Sequence, residues 1–388
     1  MRKLNILNQL DNVIRETADN IHDFISDPRA FTRTRKLDPF TMLKVPINMQ
    51  GNSLDKELYD AFSDSDDKSL VSTSAYVQQK AKLSPACFEH IFHTMNQRQK
   101  AQRLFKSQYR LLAIDGSDFN QLWNPESKNI VKFTNQHGCQ NYCQFHMNTS
   151  YDLVNNTYQD VILQPKSQID ERKAALLMLK RTEMKPTIVT MDRGYCSFNR
   201  IENCNRLKNC NYVIRSKTGQ GAFKEIQSLP NRECDLEVSC RVTISNYYYI
   251  THKDTEDLHL VTHHKKQYIE QRSKNTYDAS WDFEDICTIK FRVCKFRINN
   301  EESGKDEWEV LVTNLNSKEF SLEEMKELYH LRWGIESSFR KLKYDIGSVQ
   351  FHSKQDHFIE MANYKFNPNK PGIFQWQSVD DVFLMVVD

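Results

Sequence analysis

A mixed α/β fold preceded by a helical segment is predicted from three features of this 388-residue chain. Near-continuous apolar runs at Leu111 to Ile114 and Thr187 to Met191 each stop at an aspartate, strand-like and helix-like segments alternate between them, and apolar residues recur at helical spacing upstream.

The elements follow in order. Residues 1–105 read as helical: Ser84 and Pro85 suit an N-cap and first turn, and Phe88, Ile91, Phe92 and Met95 mark one buried stripe. Asp64 to Asp67 is an acidic run, read as a linker because no glycine-bearing calcium loop follows. Residues 106–217 carry the α/β pattern. Leu111 to Ile114 is a strand ending at Asp115, Met147 to Val154 and Thr157 to Leu163 are two strands joined by an Asn155-Asn156 turn, Asp170 to Leu179 is a helix, and Thr187 to Met191 and Tyr212 to Ile214 are further strands. Residues 218–305 form a β-rich insertion with strands at Cys234 to Ile250 and Ile286 to Ile298, the second alternating Ile289, Phe291 and Val293 with Lys290 and Arg292. A final strand and helix occupy 306–355, and 356–388 is a tail of different character.

Composition narrows the class. With 39% apolar and 27% charged residues the chain can bury a substantial core. Ten cysteines without a C-x2-C pair, and no apolar N-terminal leader, predict reduced thiols in a cytoplasmic compartment. No apolar run is long enough to span a membrane. A net charge of +2 means that any nucleic-acid binding must use local patches: Arg33, Arg35 and Lys36; Lys290, Arg292, Lys295 and Arg297; or Arg340, Lys341 and Lys343. Phosphate loops of the ATP or dinucleotide type are absent.

The most informative stretch places Tyr329, Arg332, Glu336 and Lys343 on one predicted helix with Leu328, Leu331, Ile335, Phe339 and Leu342. At about 100° per residue the polar four span roughly 60°, about a quarter-turn from the apolar five. Arg, Lys and Tyr suit a phosphodiester, and a carboxylate among them suits a bound divalent cation. Asp115, Asp192 and Glu336 would together supply oxygen ligands for two such ions. Asp118 is the competitor to Asp115, which is preferred because it ends the apolar run directly.

Ala113-Ile114-Asp115-Gly116-Ser117, Met191-Asp192-Arg193-Gly194-Tyr195 and the Tyr329 to Lys343 signature resemble the DDE transposases of bacterial insertion sequences, specifically the IS-four family. Ser74-Ala75-Tyr76 through Leu83-Ser84-Pro85 and Val312-Thr313-Asn314-Leu315 extend the resemblance over roughly residues 70–355. It implies a ribonuclease-H-like catalytic core with a β-rich insertion and an N-terminal helical, DNA-binding region. It further implies cleavage and strand transfer dependent on Mg²⁺, with Mn²⁺ able to substitute. The partners would be double-stranded DNA at terminal inverted repeats and target DNA, bound by a homodimer. Asp115, Asp192 and Glu336 would be catalytic metal ligands, and Tyr329, Arg332, Lys343, Arg193 and Arg340 DNA contacts. Trp308 would stack on a flipped base, with a core aromatic as the competing reading.

The chain departs from that family after Phe351-His352-Ser353-Lys354, where prolines and a glycine within Asn367 to Gly372 interrupt an expected long helix. Two alternatives therefore stay open: a catalytically silent DNA-binding remnant, and a host nuclease of the same fold. Cys139, Cys143, His146 and His137 do not match a zinc-finger spacing, and Cys196 has no marked base partner.

Overall fold

The computed structural model describes the chain except residues 1, 34, 50–51, 64–70, 99–102, 136–137, 182–185, 220, 255–257, 262–280, 301–304, 346–352 and 365–388. The acidic run at Asp64 to Asp67, His137, and the Asn367 to Gly372 segment lie outside the described residues. Helices α1 (Arg2–Asp19), α2 (Pro39–Asn48), α3 (Leu54–Phe62), α4 (Thr73–Lys80) and α5 (Ala86–Arg98) come first. Side-chain caps start three of them, with Asp38, Ser53 and Ser72 accepting from the backbone N–H groups of Thr41, Lys56 and Ala75. Strands β1 (Arg110–Gln121), β2 (Ile130–Val131), β3 (Thr134–Asn135), β4 (Gly138–Cys139), β5 (Tyr142–Asp152) and β6 (Thr157–Pro165) follow. Then come α6 (Glu171–Arg181), β7 (Thr187–Met191), α7 (Phe198–Arg206), β8 (Cys210–Arg215) and the short α8 (Lys224–Gln227). The rest comprises β9 (Cys234–Thr243), α9 (Asn246–His252), β10 (Leu258–Leu260), β11 (Ile286–Asn300), β12 (Lys305–Thr313), α10 (Leu322–His330), α11 (Trp333–Arg340) and α12 (Asp356–Asn363).

One mixed sheet runs in the order β10-β9-β11-β12-β8-β7-β1-β5-β2, with β6 also paired to β5. Strands β1, β7 and β8 are parallel, while β5 and β6 are antiparallel. The fully buried Thr-Ile-Val-Thr-Met of β7 fits a strand covered on both faces. Among the described residues of 218–305 no separate sheet forms: β9 pairs with β11, β11 with β12, and β12 with β8, so they prolong the same hydrogen-bonded ladder.

Period-two alternation assigns the faces. Leu111 packs with Met325 and Leu328 of α10, and Ala113 shares a cluster with Ile335 and Phe339 of α11. Leu112 and Ile114 point the other way, into a cluster with Ala175, Met178 and Phe198. On β7, Ile188 joins the α10 side while Val189 and Met191 join the opposite cluster. Asp115 and Asp192 therefore both continue onto the α10–α11 face. The N-terminal helices contribute Val13, Ile14, Phe88 and Ile91 to the same cluster as Phe145, Tyr158, Ile335 and Phe358.

Three expectations change. β1 does not end at Asp115 but pairs with β5 as far as Gln121 opposite Cys143. Cys234 to Ile250 is not one strand, because Ser245 caps α9 by accepting from Tyr248 N. Of the predicted cationic residues of β11, Lys290 and Arg297 are exposed but Arg292 and Lys295 are internal. Arg292 is 1% exposed, pairs with Asp235 at 2.7 Å, and donates to the carbonyls of Leu315 and Phe320. Lys295 is buried too and donates to the Pro230 carbonyl at 2.6 Å.

Arg292→Ala should therefore destabilise the chain by about 3 kcal/mol, since two carbonyls and the partly exposed Asp235 carboxylate lose one fully buried donor together. A urea midpoint corresponding to less than about 0.5 kcal/mol of change, the range of an ordinary surface substitution, would contradict this structural role.

Candidate active site

The parallel register pairs Ile114 with Met191, so Asp115 and Asp192 are the next residues along two adjacent strands. Neighbouring strands lie about 4.8 Å apart, which brings the two carboxylates together on one face. Asp115 accepts from the Gly116 N–H at 2.9 Å. Asp192 precedes a single 3₁₀ turn at Arg193–Tyr195, and its Oδ1 is buried without a hydrogen-bond partner.

Glu336 arrives from α11. The stretch from Leu322 to Asp345 is not one regular helix: α10 ends at His330, Arg332 N donates to Tyr329 O and Gly334 N to Leu331 O in i to i−3 fashion, and Lys341–Asp345 widen into a π turn. Tightening at the joint advances each residue by nearer 120° than 100°. The predicted apolar stripe survives at Leu328, Ile335, Phe339 and Leu342, all buried, but Leu331 is turned out to 45% exposure. Gly334 permits the close approach of this helix to the sheet, since a Cβ there would stand 2.9 Å from Leu153 Cδ2.

Arg332 joins the parts. It is 4% exposed, donates from Nη2 to Glu336 Oε1 at 2.5 Å and from Nη1 to Asp115 Oδ2 at 3.4 Å, and lies 5.6 Å from the Tyr329 ring centroid. Tyr329 is itself buried, and its hydroxyl donates to the Met191 carbonyl at 3.5 Å, just before Asp192. Lys343 donates to Ser117 Oγ at 2.8 Å, and burial holds its ammonium pKa below the usual range.

The face is electrostatically strained. Burial pushes the Asp115 carboxyl up to about 6; the Gly116 N–H and Arg332 oppose this, while Asp192 and Glu171 add to it. Glu309 of β12 is also raised, first by burial and then by Asp192, against the pull of Arg215 and Arg332. A buried, unpartnered carboxylate oxygen beside another acid that resists ionisation is a donor set suited to a hard divalent cation.

Asp118 lies on the opposite face. His146 Nδ1 contacts its Oδ1 at 2.7 Å and Lys166 pairs with its other oxygen. Burial would raise its pKa, but these two partners outweigh it and hold the carboxyl at about 2. His146 Nε2 is 3.1 Å from Glu171 Oε1. Gly116 makes room for this imidazole, since a Cβ would stand 2.2 Å from Nε2.

Arg193 and Arg340 are exposed near Asp192 and at the end of α11 respectively. Trp308 faces away from the three acids: Glu309, its neighbour on the strand, is on their side, and the indole lies between Lys295 and Arg297 at 4.7 and 4.9 Å with Nε1 bonded to Asn231. Sequence reasoning missed Glu171, Glu309 and Trp333. An acid within the apolar run Glu309-Val310-Leu311-Val312 was the available signal for Glu309. Trp333 is 63% exposed, one turn from Glu336, with its ring facing His330 at 6.4 Å. Cys196, for which the sequence marks no base partner, has its thiol pushed up to about 11 by burial.

A mixed sheet carrying paired aspartates at adjacent parallel strands, faced by a helix-borne glutamate, defines an acidic-site α/β protein. The family described as the transposase DDE domain matches residues 106–364, two thirds of the chain, and the protein belongs to that family. Among solved structures it is similar to a piggyBac transposase synaptic complex with hairpin DNA determined by cryo-electron microscopy, at 9% identity and a TM-score of 0.42, over 92% of this chain and 71% of that one. No curated protein matches. Among the described residues no helix is long and apolar enough to cross a membrane.

The raised Asp115 pKa gives a signed prediction. A carboxyl whose folded pKa of about 6 exceeds its reference value of 3.8 favours the fold while protonated, and that contribution is lost as pH rises from about 4 through 6. Without added divalent cations, Asp115→Asn should melt higher than wild type at pH 7, with the difference shrinking towards pH 4. Thermal melts across that range test this. A lower melting temperature for the variant at pH 7 would show that Arg332 gains more from ionised Asp115 than the site loses.

Proposed function

We propose that this transposase-family chain is a DNA transposase of the insertion-sequence type, in the IS-four group with the Tyr-Arg-Glu-Lys signature, nicking and joining DNA at the element's ends. The observation carrying this reading is that Asp115 and Asp192 stand side by side on two parallel strands while Arg332 ties Asp115 to Glu336 of the facing helix. The strand order β6-β5-β1-β7-β8, with the first two antiparallel and the last three parallel, supports a ribonuclease-H-like core for it.

Asp115, Asp192 and Glu336 would hold Mg²⁺, or Mn²⁺ in its place. Bound there, two such ions would supply the charge that stabilises the attacking and leaving oxygens of a phosphodiester. The chain's own groups do the rest. Arg332 keeps the acids together in the DNA-free protein, and the Tyr329 hydroxyl fixes the backbone entering Asp192. Lys343, Arg193 and Arg340 supply positive charge to the DNA backbone around them. Trp333 offers the exposed aromatic face beside Glu336, a position better suited than that of Trp308 to stacking on an unpaired base, worth about 1–3 kcal/mol. The partners are the terminal inverted repeats and target DNA, with a homodimer bringing two ends together.

Purified protein with Mg²⁺ or Mn²⁺ should nick linear DNA bearing its element's ends. Alanine at Asp115, Asp192 or Glu336 should abolish nicking while leaving DNA binding in place; wild-type nicking by all three would refute the assignment. A wild-type chain that binds these ends but never nicks them would favour the silent remnant.

Lys343→Ala should weaken binding on all sequences alike and reduce the slope of log affinity against log salt by about 1. An unchanged slope would remove Lys343 from the phosphate contacts.

A further inference from the structure

A second cluster of ligand-type side chains lies far from the acidic face. Glu225 of α8, Cys240 of β9 and His259 of β10 place a carboxylate oxygen, a thiol sulfur and an imidazole nitrogen within 4.8 Å of one another. Across the sheet, five strand spacings separate β9 from β1, roughly 24 Å. We propose that Glu225, Cys240 and His259 form a transition-metal site that takes Zn²⁺.

The local fold brings the three together. β10 runs parallel to β9 with His259 opposite Val242, so Cys240 is two residues back along the neighbouring strand. α8 lies beside them, and His259 Nε2 is 2.5 Å from Glu225 Oε1. The site is enclosed: Cys240 is 2% and His259 8% exposed. The Phe198 ring lies 5.0 Å from that of His259, and Phe223 stacks on Phe198 at 4.0 Å. Glu225 Oε2 is buried with no hydrogen-bond partner, an orphan acceptor in an apolar corner.

Donor chemistry selects the ion. One sulfur, one imidazole nitrogen and one carboxylate oxygen form a borderline set, favoured by zinc and poorly matched to Mg²⁺ or Ca²⁺, which take oxygen shells. Tetrahedral zinc with bonds of about 2.3 Å to sulfur and about 2.0–2.1 Å to nitrogen and oxygen sets its ligands roughly 3.3–3.5 Å apart. Binding thus asks the thiol to approach by an ångström or so and the His259–Glu225 pair to part by less. The Cys240 thiol gives up its proton as the metal enters, leaving one coordination position for water or another donor. The ion would tie α8, β9 and the three-residue edge strand β10 together.

The full chain, purified without chelator, should carry one zinc in this site by elemental analysis, retained by Asp115→Asn. Cys240→Ser should lose it, and Glu225→Gln, which keeps the side-chain shape, should weaken zinc binding by at least about tenfold, the effect known for even outer-shell partners. Cobalt loaded in place of zinc provides a readout on the unmutated protein: a thiolate-to-cobalt charge-transfer band is expected and should be absent in Cys240→Ser. Cobalt binding without that band, zinc retention unaffected by Cys240→Ser and Glu225→Gln, or no zinc uptake in titration would each overturn the proposal. The cluster would then be a buried His–Glu ion pair with a bystander thiol.

Discussion

One guanidinium makes the acidic face possible. Asp115 and Asp192 are half-buried side by side and Glu336 stands over them partly open to solvent, and like charges about 4 Å apart repel by roughly 4 kcal/mol at the effective dielectric of a protein surface. Arg332, 4% exposed, is inserted between two of them and bonded to both. Its two bonds hold Glu336 of α11 over Asp115 in the middle of β1 and beside Asp192 at the end of β7. The irregular backbone on either side fits this demand, with a tight turn before Arg332 and a wide one after Arg340 setting the angle at which the helix presents both residues.

The two faces of β1 solve the charge problem differently. On the α6 side, Asp118 and Glu171 share His146, and Asp118 also takes Lys166, so acids and bases balance and the network is closed. Burial alone would lower the His146 pKa, yet its two acidic partners raise it. On the α11 side three carboxylates face one guanidinium, and Glu309 is already occupied by Arg215 at 3.2 Å. The uncompensated negative charge sits where the catalytic ions are proposed to bind. That imbalance, more than closeness to an apolar run, distinguishes Asp115 from Asp118.

Legibility in the sequence followed burial. β7 was readable because all five residues are buried, and α5 because its stripe at Phe88, Ile91, Phe92 and Met95 is internal throughout. The distal half of β1 was not, since Gly116 to Gln121 pairs with β5 through polar residues whose partners are distant in sequence, such as Asp118 with His146. α9 was hidden because Tyr247, Tyr248, Tyr249 and Ile250 have strand propensity, and a single cap at Ser245 reversed it. Arg292 looked like half of a cationic face, because alternation marks sides of a strand but not which side a later segment covers. In the site, the order of Asp115, Asp192 and Glu336 along the chain was legible; that Arg332 and Tyr329 are buried against those acids depended on a helix break that local pattern did not reveal.

The same sheet carries two sets of donors that do not compete. Oxygen ligands alone line the β1–β7 end, where a hard cation that keeps much of its water can be accommodated by side chains partly open to solvent, Glu336 being 48% exposed. Sulfur and imidazole join a single carboxylate at the β9–β10 edge, inside an aromatic shell that favours a tightly held ion. The two proposed ions, one exchangeable and one resident, would need this chemical separation, because zinc outcompetes magnesium wherever both find the same ligands. The edge is also where pinning matters most. Among the described residues β10 has three residues and one ladder partner, and everything between it and β1 is continuous hydrogen-bonded strand. Fraying there would run inward along β9 and β11 towards β12, which carries Glu309 to the acidic face.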